Sequence, residues 1–297
     1  MMTAELTRGP LFRYDLNQPP GLKPDIVDLI GPWFDRPRGE PAEKTLIICA
    51  APRTGSYELA RMLIGAGIGI AHEYFHPKYA AVAASRWELP SDVLSPTRIG
   101  QYISELRRRR SAGGVFATKL QHCQYRAALC NTHGRDLFED AVVVHLFRAD
   151  AFRQLVSFVK ALETGRYDFS DRRTDRPSSA ASLLNERRLS AIADFLATEE
   201  AGFRRLFVLS GIRPLFVEFE QLIREPRFIV EKIAHALSVP VNCQGLGKAL
   251  ALTGPYDKKP GNDQGREEII LKITRKLAFE RWRAENDVRV RNASGEA

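Results

Sequence analysis

The chain has 297 residues, with 44 Lys and Arg against 36 Asp and Glu, a formal net charge of +8. At 44% hydrophobic, 27% charged and only 4 cysteines, it can bury a sizeable core without staples, which excludes a disordered chain, a collagen and a disulfide scaffold. No stretch approaches the roughly 20 apolar residues of a membrane span, and the opening MMTAELTRGPLFRYDLNQPP lacks the apolar run of a signal peptide.

A soluble cytoplasmic protein is therefore expected, with Cys49, Cys123, Cys130 and Cys243 as reduced thiols. Positive charge favours anionic partners. The basic clusters, Arg107 to Arg110, Arg172 with Arg173 and Arg176, Arg187 with Arg188, and Arg204 with Arg205, are scattered and carry no interleaved aromatics. They read as solvated faces, and no nucleic-acid partner is expected. His122, Cys123, Cys130 and His133 give adjacent ligands and half a site, so no metal is assigned.

Residues 1–44 are rich in Pro and Gly, with one short helical candidate at 24–30, and read as an extension packed on a domain spanning 45–297. The run TLIICA (45–50) predicts a strand buried on both faces of a parallel sheet. A helix opens at Ser56, places Leu59, Met62 and Leu63 on one face, and ends where Gly65 or Gly67 can take the left-handed cap conformation. Further strands are predicted at 115–120, 141–147 and 215–219.

A helix over 150–162 follows the third strand. Then come a polar loop (165–179), helical segments over 181–209, an amphipathic helix after Pro226, a loop over 253–265 and a charged helix over 267–284. Strands alternating with helices predict a three-layer α/β domain around a mainly parallel sheet. An exposed helix face could form a homodimer, although no self-complementary patch is legible.

The richest stretch is TLIICAAPRTGSYELARML: a buried strand, the turn Pro52-Arg53-Thr54-Gly55-Ser56, then a helix. Glycine lets the backbone bend closely around an anion, and successive amides at a helix N-terminus supply convergent positive potential. The turn therefore predicts a phosphate cradle, the plain alternative being an ordinary strand-to-helix turn. It lacks the lysine of GxxxxGK[ST], and its cation, Arg53, precedes the glycine. Arg148 sits just past the third strand and Ser157 about 10 Å along the next helix; both reach one anion only if that helix runs beside it. Glu73 lies in the apolar and aromatic AHEYF, a setting expected to raise a carboxyl's pKa. His145, among apolar strand residues, reads as a core histidine.

These segments, in this order, resemble sulfotransferases that use 3′-phosphoadenosine 5′-phosphosulfate, and most closely the bacterial trehalose 2-sulfotransferase family. PRTGS resembles the phosphosulfate loop. HEYF resembles the Glu-Phe-Phe motif, at whose general-base position Glu73 stands, and GVFATKL resembles a Gly-x-x-Gly-Gly-Lys-Leu segment whose active-site lysine aligns with Lys119. RADAFRQLVSF resembles the 3′-phosphate motif, in which Arg148 and Ser157 take the Arg and Ser positions. FEQLIREP resembles the segment Tyr-Glu-x-Leu with its following Pro.

The resemblance runs from about Thr45 to Arg283. It implies a P-loop-like α/β fold, the phosphosulfate as donor co-substrate without a metal, and a hydroxyl acceptor on a carbohydrate, glycolipid or small metabolite. Donor contacts are implied for Pro52, Arg53, Thr54, Gly55, Ser56, Tyr57, Arg148 and Ser157, and for Lys258 and Lys259 by analogy with a basic C-terminal segment. Arg53, with Lys119, would stabilise the transferring group. The chain departs from the pattern at Tyr57, where the loop usually has Thr or Ser. It departs again at Ile70-Ala71 and Gln121-His122, in segments that face the acceptor in the family. The other readings are an ATP-dependent small-molecule kinase, against which the missing GK[ST] counts, and a non-catalytic nucleotide-binding protein that has lost its acceptor chemistry.

Overall fold

The computed structural model describes residues 28–164, 185–253 and 267–277. The predicted positions of Lys258 and Lys259 and the loop over 165–179 lie outside these residues. The chain divides into two compact units; the described part of the first is 28–149 with 198–253, and of the second 150–164, 185–197 and 267–277.

The first unit is built on a five-stranded sheet of order β2-β3-β1-β4-β5. Its strands are β1 (Lys44–Ala50), β2 (Ser111–Ala112), β3 (Val115–Leu120), β4 (Ala141–Phe147) and β5 (Leu215–Glu218). All pairings are parallel except the short β2–β3 hairpin, which turns through Gly113 and Gly114, both at positive φ. The fold is α/β, with helices on both faces of the sheet.

Side-chain alternation along β1 shows why its sequence is apolar throughout. Leu46, Ile48 and Ala50 join one core cluster, while Ile47 and Cys49 join the cluster on the opposite face. A parallel strand covered on both sides has no polar face to reveal its period. The first face is covered by helices α1 (Ser56–Gly65), α8 (Pro226–Leu237) and α9 (Cys243–Thr253). Ile229, Val230, Ile233 and Leu237 line α8 at helical spacing and are buried; each such side chain contributes about 1.5–3 kcal/mol. The other face carries α2 (Pro77–Arg86), α3 (Ile99–Arg109), α4 (Thr132–Glu139) and, through Phe203 and Phe207, α6 (Glu186–Ser210).

Helix α1 ends as its glycines predict, at Gly67 rather than Gly65: Gly67 has φ 77°, and its N–H donates to the Ile64 carbonyl at 3.0 Å. Helix α7 (Phe219–Arg224) follows β5 directly, and α8 opens on Pro226, a residue suited to the first helical turn.

The arginines 107–110 correct the reading of solvated faces. Arg107 donates to the carbonyls of Ala42 (3.0 Å) and Glu43 (3.3 Å), and Arg108 to that of Gly39 (2.8 Å). Arg110 is completely buried and donates to Tyr74 Oη (2.8 Å), Asp35 Oδ1 (2.9 Å), the Gly31 carbonyl (3.3 Å) and the Leu29 carbonyl. These side chains fasten residues 29–43 to the sheet domain, because chain without regular structure must find partners for its own carbonyls.

The second unit has its own core. Helix α5 (Ala151–Thr164), the first part of α6 and a helical stretch over 267–277 pack Leu155, Phe158, Val159, Leu189, Ile192, Leu196 and Ile270 together. Phe158 stacks on Phe195 with ring centroids 6.0 Å apart.

Candidate active site

The parallel register delivers several loops to one edge. Ala50 is level with Leu146, and Cys49 with Leu120. The turns after β1 and β4 therefore leave the sheet side by side, and β3 ends on the same level.

After β1, the chain turns through Pro52-Arg53-Thr54-Gly55. Thr54 Oγ1 donates back to the Ala51 carbonyl at 3.0 Å, tightening the turn. Arg53 has φ 67° and Gly55 φ 77°. Positive φ in a non-glycine residue costs of order 1–3 kcal/mol, and such residues cluster at ligand sites. Gly55 is required twice over, since a Cβ there would run into the ring of Phe219. Helix α1 begins at Ser56 with no side-chain cap, so its positive end is available to an anion.

The turn after β4 carries Arg148. Its guanidinium lies 4.8 Å over the Phe219 ring, so one aromatic side chain touches both loops. Glu220 Oε1 stands 3.7 Å from Arg148 Nε, beyond hydrogen-bond reach, while Glu220 Oε2 accepts the Ala149 N–H at 3.2 Å. The Arg148 side chain is 6% exposed, and its Nε has no hydrogen-bond partner.

Glu73 is brought in by a single bridge. His72 pairs with Thr118 beside β3, its carbonyl accepting the Lys119 N–H at 2.9 Å and Thr118 Oγ1 at 3.2 Å. This sets Glu73 against Lys119, 46 residues on, and the Lys119 ammonium donates to Glu73 Oε1. Tyr57 Oη donates to the same oxygen at 3.2 Å, and Lys119 Nζ lies 4.6 Å over the Tyr57 ring. The other oxygen, Oε2, accepts Gln121 Nε2 at 3.0 Å and Gln124 Nε2 at 2.6 Å. Glu73 and Lys119 are both buried.

The electrostatics overturn the expected upward shift at Glu73. Burial does push its carboxyl up, but the Lys119 charge, the charge of His76 and hydrogen bonds from Lys119 and Gln124 outweigh it and bring the pKa down to about 2. The cage acts the other way on Tyr57, whose phenol is raised well above its ordinary value by burial and by the Glu73 charge. Tyr57 therefore faces the carboxylate of Glu73 as a neutral proton donor.

Gln124 is the site residue that sequence reasoning missed, and Gln121, noted there only as a departure from the family pattern, joins it on Glu73. They are held by a capping box: Gln121 N–H donates to Gln124 Oε1 at 3.1 Å, and the Gln121 side chain receives the Gln124 N–H in return. The two amide oxygens are engaged with each other's backbone N–H, leaving each NH₂ for Glu73. Glu199 completes the support, accepting the N–H groups of His122 and Cys123 at 2.8 Å each. The available signal was spacing, two and five residues beyond Lys119.

The remaining candidates fall elsewhere. Ser157 lies on α5, in the second unit. His145 is completely buried on β4 among Phe147, Phe203, Phe207 and Phe216, and its Nε2 is 3.2 Å from Glu200 Oε2. Among the described residues no group of three His, Cys, Asp or Glu is gathered to hold a metal ion. No described helix is long and apolar enough to cross a membrane.

The edge thus brings together a tight turn opening an uncapped helix, the buried Arg148 side chain, and an ionised carboxylate paired with a lysine. No curated protein matches this chain. Among solved structures, the sulfotransferase domain from the Synechococcus PCC 7002 olefin synthase is 16% identical, over 77% of this chain and 82% of that one, with a TM-score of 0.40. The family model for the Stf0 sulphotransferases matches residues 45–251. The chain belongs to the Stf0 sulphotransferase family, and it is an enzyme of sulfuryl transfer.

Proposed function

We propose that the enzyme takes its sulfuryl group from 3′-phosphoadenosine 5′-phosphosulfate and delivers it to a hydroxyl of a carbohydrate, glycolipid or small metabolite. The observation that carries this reading is the buried Nε of Arg148, which makes no hydrogen bond and is fixed on the same phenyl ring that closes against Gly55. A buried guanidinium N–H without a hydrogen-bond acceptor is suited to a phosphate oxygen.

Pro52 to Ser56 would cradle the 5′ end, with the uncapped start of α1 facing its negative charge. Arg148 would hold the 3′-phosphate. When bound, the donor supplies the sulfuryl group, whose S–O bond to the 5′-phosphate breaks as the acceptor oxygen bonds to sulfur. Arg53 stabilises the charge that gathers on the leaving oxygen. Glu73 takes the acceptor proton.

For Glu73 to act as a base, the interaction that depresses its pKa must weaken. Lys119 supplies that change: an ammonium drawn toward the sulfuryl oxygens leaves the carboxylate, and the burial that Glu73 already experiences then raises its basicity. Lys119 thus serves the carboxylate in the resting protein and the transferring group during reaction.

Calorimetry in metal-free buffer tests the donor. The full-length protein should bind 3′-phosphoadenosine 5′-phosphate about ten- to a hundredfold more tightly than 5′-AMP, the worth of one charge-assisted hydrogen bond. Equal binding of the two, or a preference for ATP with magnesium, would reject the reading.

A further inference from the structure

We propose that Glu220 is the resident counter-anion of Arg148, a charge that a bound 3′-phosphate must work against, so that it sets how strongly the site discriminates by ligand charge. The inference rests on the nucleotide reading above and adds a residue to it.

Three features carry it. Glu220 is the first-turn carboxylate of α7, immediately after Phe219, on whose ring Arg148 lies. Its Oε2 is engaged by the Ala149 N–H at 3.2 Å, which holds the carboxylate at the mouth of the β4 turn. Its Oε1 stands 3.7 Å from Arg148 Nε, close enough to neutralise the guanidinium but too far to hydrogen-bond it. Glu220 therefore compensates the buried charge without occupying the donor position that a phosphate oxygen would use.

An anion that enters gains Arg148 but meets an unmoved negative charge beside it, because the backbone bond keeps Glu220 in place. Like charges a few ångströms apart repel appreciably even where solvent screens them. The second charged group of a 3′,5′-bisphosphate feels this at Arg148, whereas 5′-AMP has no phosphate there.

The test is calorimetry on the full-length wild type and Glu220→Gln, with 3′-phosphoadenosine 5′-phosphate and 5′-AMP as probes. Gln keeps an oxygen for the Ala149 N–H and removes the charge. The expected result is binding of the 3′-phosphorylated nucleotide about five-fold tighter or more, with 5′-AMP changed by less than about two-fold. The gain should vanish when Arg148→Ala is added. Glu220→Met, neutral and of similar length, must give the same gain and carries the test if Glu220→Gln does not fold.

Unchanged or weaker binding in the neutral variants, an equal gain for both nucleotides, or a gain that survives loss of Arg148 would overturn the proposal while leaving the donor assignment intact. A wild type that does not discriminate between the two nucleotides overturns the donor assignment, and this proposal with it.

Discussion

Glu73 shows how far a single residue's chemistry depends on its neighbours. Its AHEYF setting suggests a carboxylate whose pKa is raised by burial, and burial is indeed the largest influence on it. What the sequence hid is the set of donors: Lys119 and Tyr57 on one oxygen, Gln121 and Gln124 on the other. These come from two separate stretches, 57 and 119–124, and no spacing rule links either to 73 before the His72–Thr118 bridge exists. Replacing Glu73 by Gln should leave nucleotide binding near the wild-type value and lower turnover by roughly 10² or more, measured with a working acceptor. The same variant should change acid stability. A carboxyl at about 2 in the folded protein against an ordinary 4.5 stabilises the fold fully above 4.5 and loses that contribution as pH falls toward 2. Acid titration followed by circular dichroism should therefore be steeper for the wild type than for Glu73→Gln across that window.

At the scale of the element, the turn between β1 and α1 was legible because its message is local: an apolar run, a proline, a glycine and a small hydroxyl residue in five positions. Phe219 was not legible as part of it, since the ring arrives from a helix 164 residues downstream of Gly55. Gly55→Ala meets both a left-handed backbone and that ring. The expected loss is about 2–4 kcal/mol in urea unfolding, combining the backbone penalty with overpacking. Adding Phe219→Ala should relieve the steric part but leave nucleotide binding weak, because Arg148 loses the surface it rests on. Full recovery of binding in the double variant would refute that role for Phe219. Helices α2 and α3 were missed for an opposite reason. Alanine-rich KYAAVAASR has a faint apolar stripe, and the arginines closing α3 look like a solvated end until their carbonyl partners are known.

For the whole molecule, the strands were the most readable feature: among the described residues, four of the five lie where short, mainly apolar runs predicted them. The fifth, β2, is two residues long, too short to leave a pattern. How residues 29–43 are attached could not be read, because it depends on Arg110, a charged side chain with no surface exposure. Arg110→Met would take this donor from the Leu29 and Gly31 carbonyls and leave Asp35 with Arg86 and Trp87 but one cation fewer. The expected cost is about 3–5 kcal/mol, as for other broken buried ion pairs, seen as a lower urea midpoint. Calorimetric affinity for 3′-phosphoadenosine 5′-phosphate should be unchanged in the folded variant, since Arg110 serves the attachment and not the cradle.

The saturated carboxylate also constrains the order of events. A carboxylate has about four lone-pair directions, and at Glu73 each is already taken by a donor. An acceptor hydroxyl arriving first finds no vacancy there. Of the four donors, Lys119 alone carries a charge that an incoming sulfuryl group can attract away, so on the proposed roles the opening for the acceptor would be created by the nucleotide. Those roles predict a compulsory order, nucleotide first and acceptor second, with water meeting the same closed carboxylate whenever the nucleotide is absent; initial-rate kinetics giving a random order would reject it.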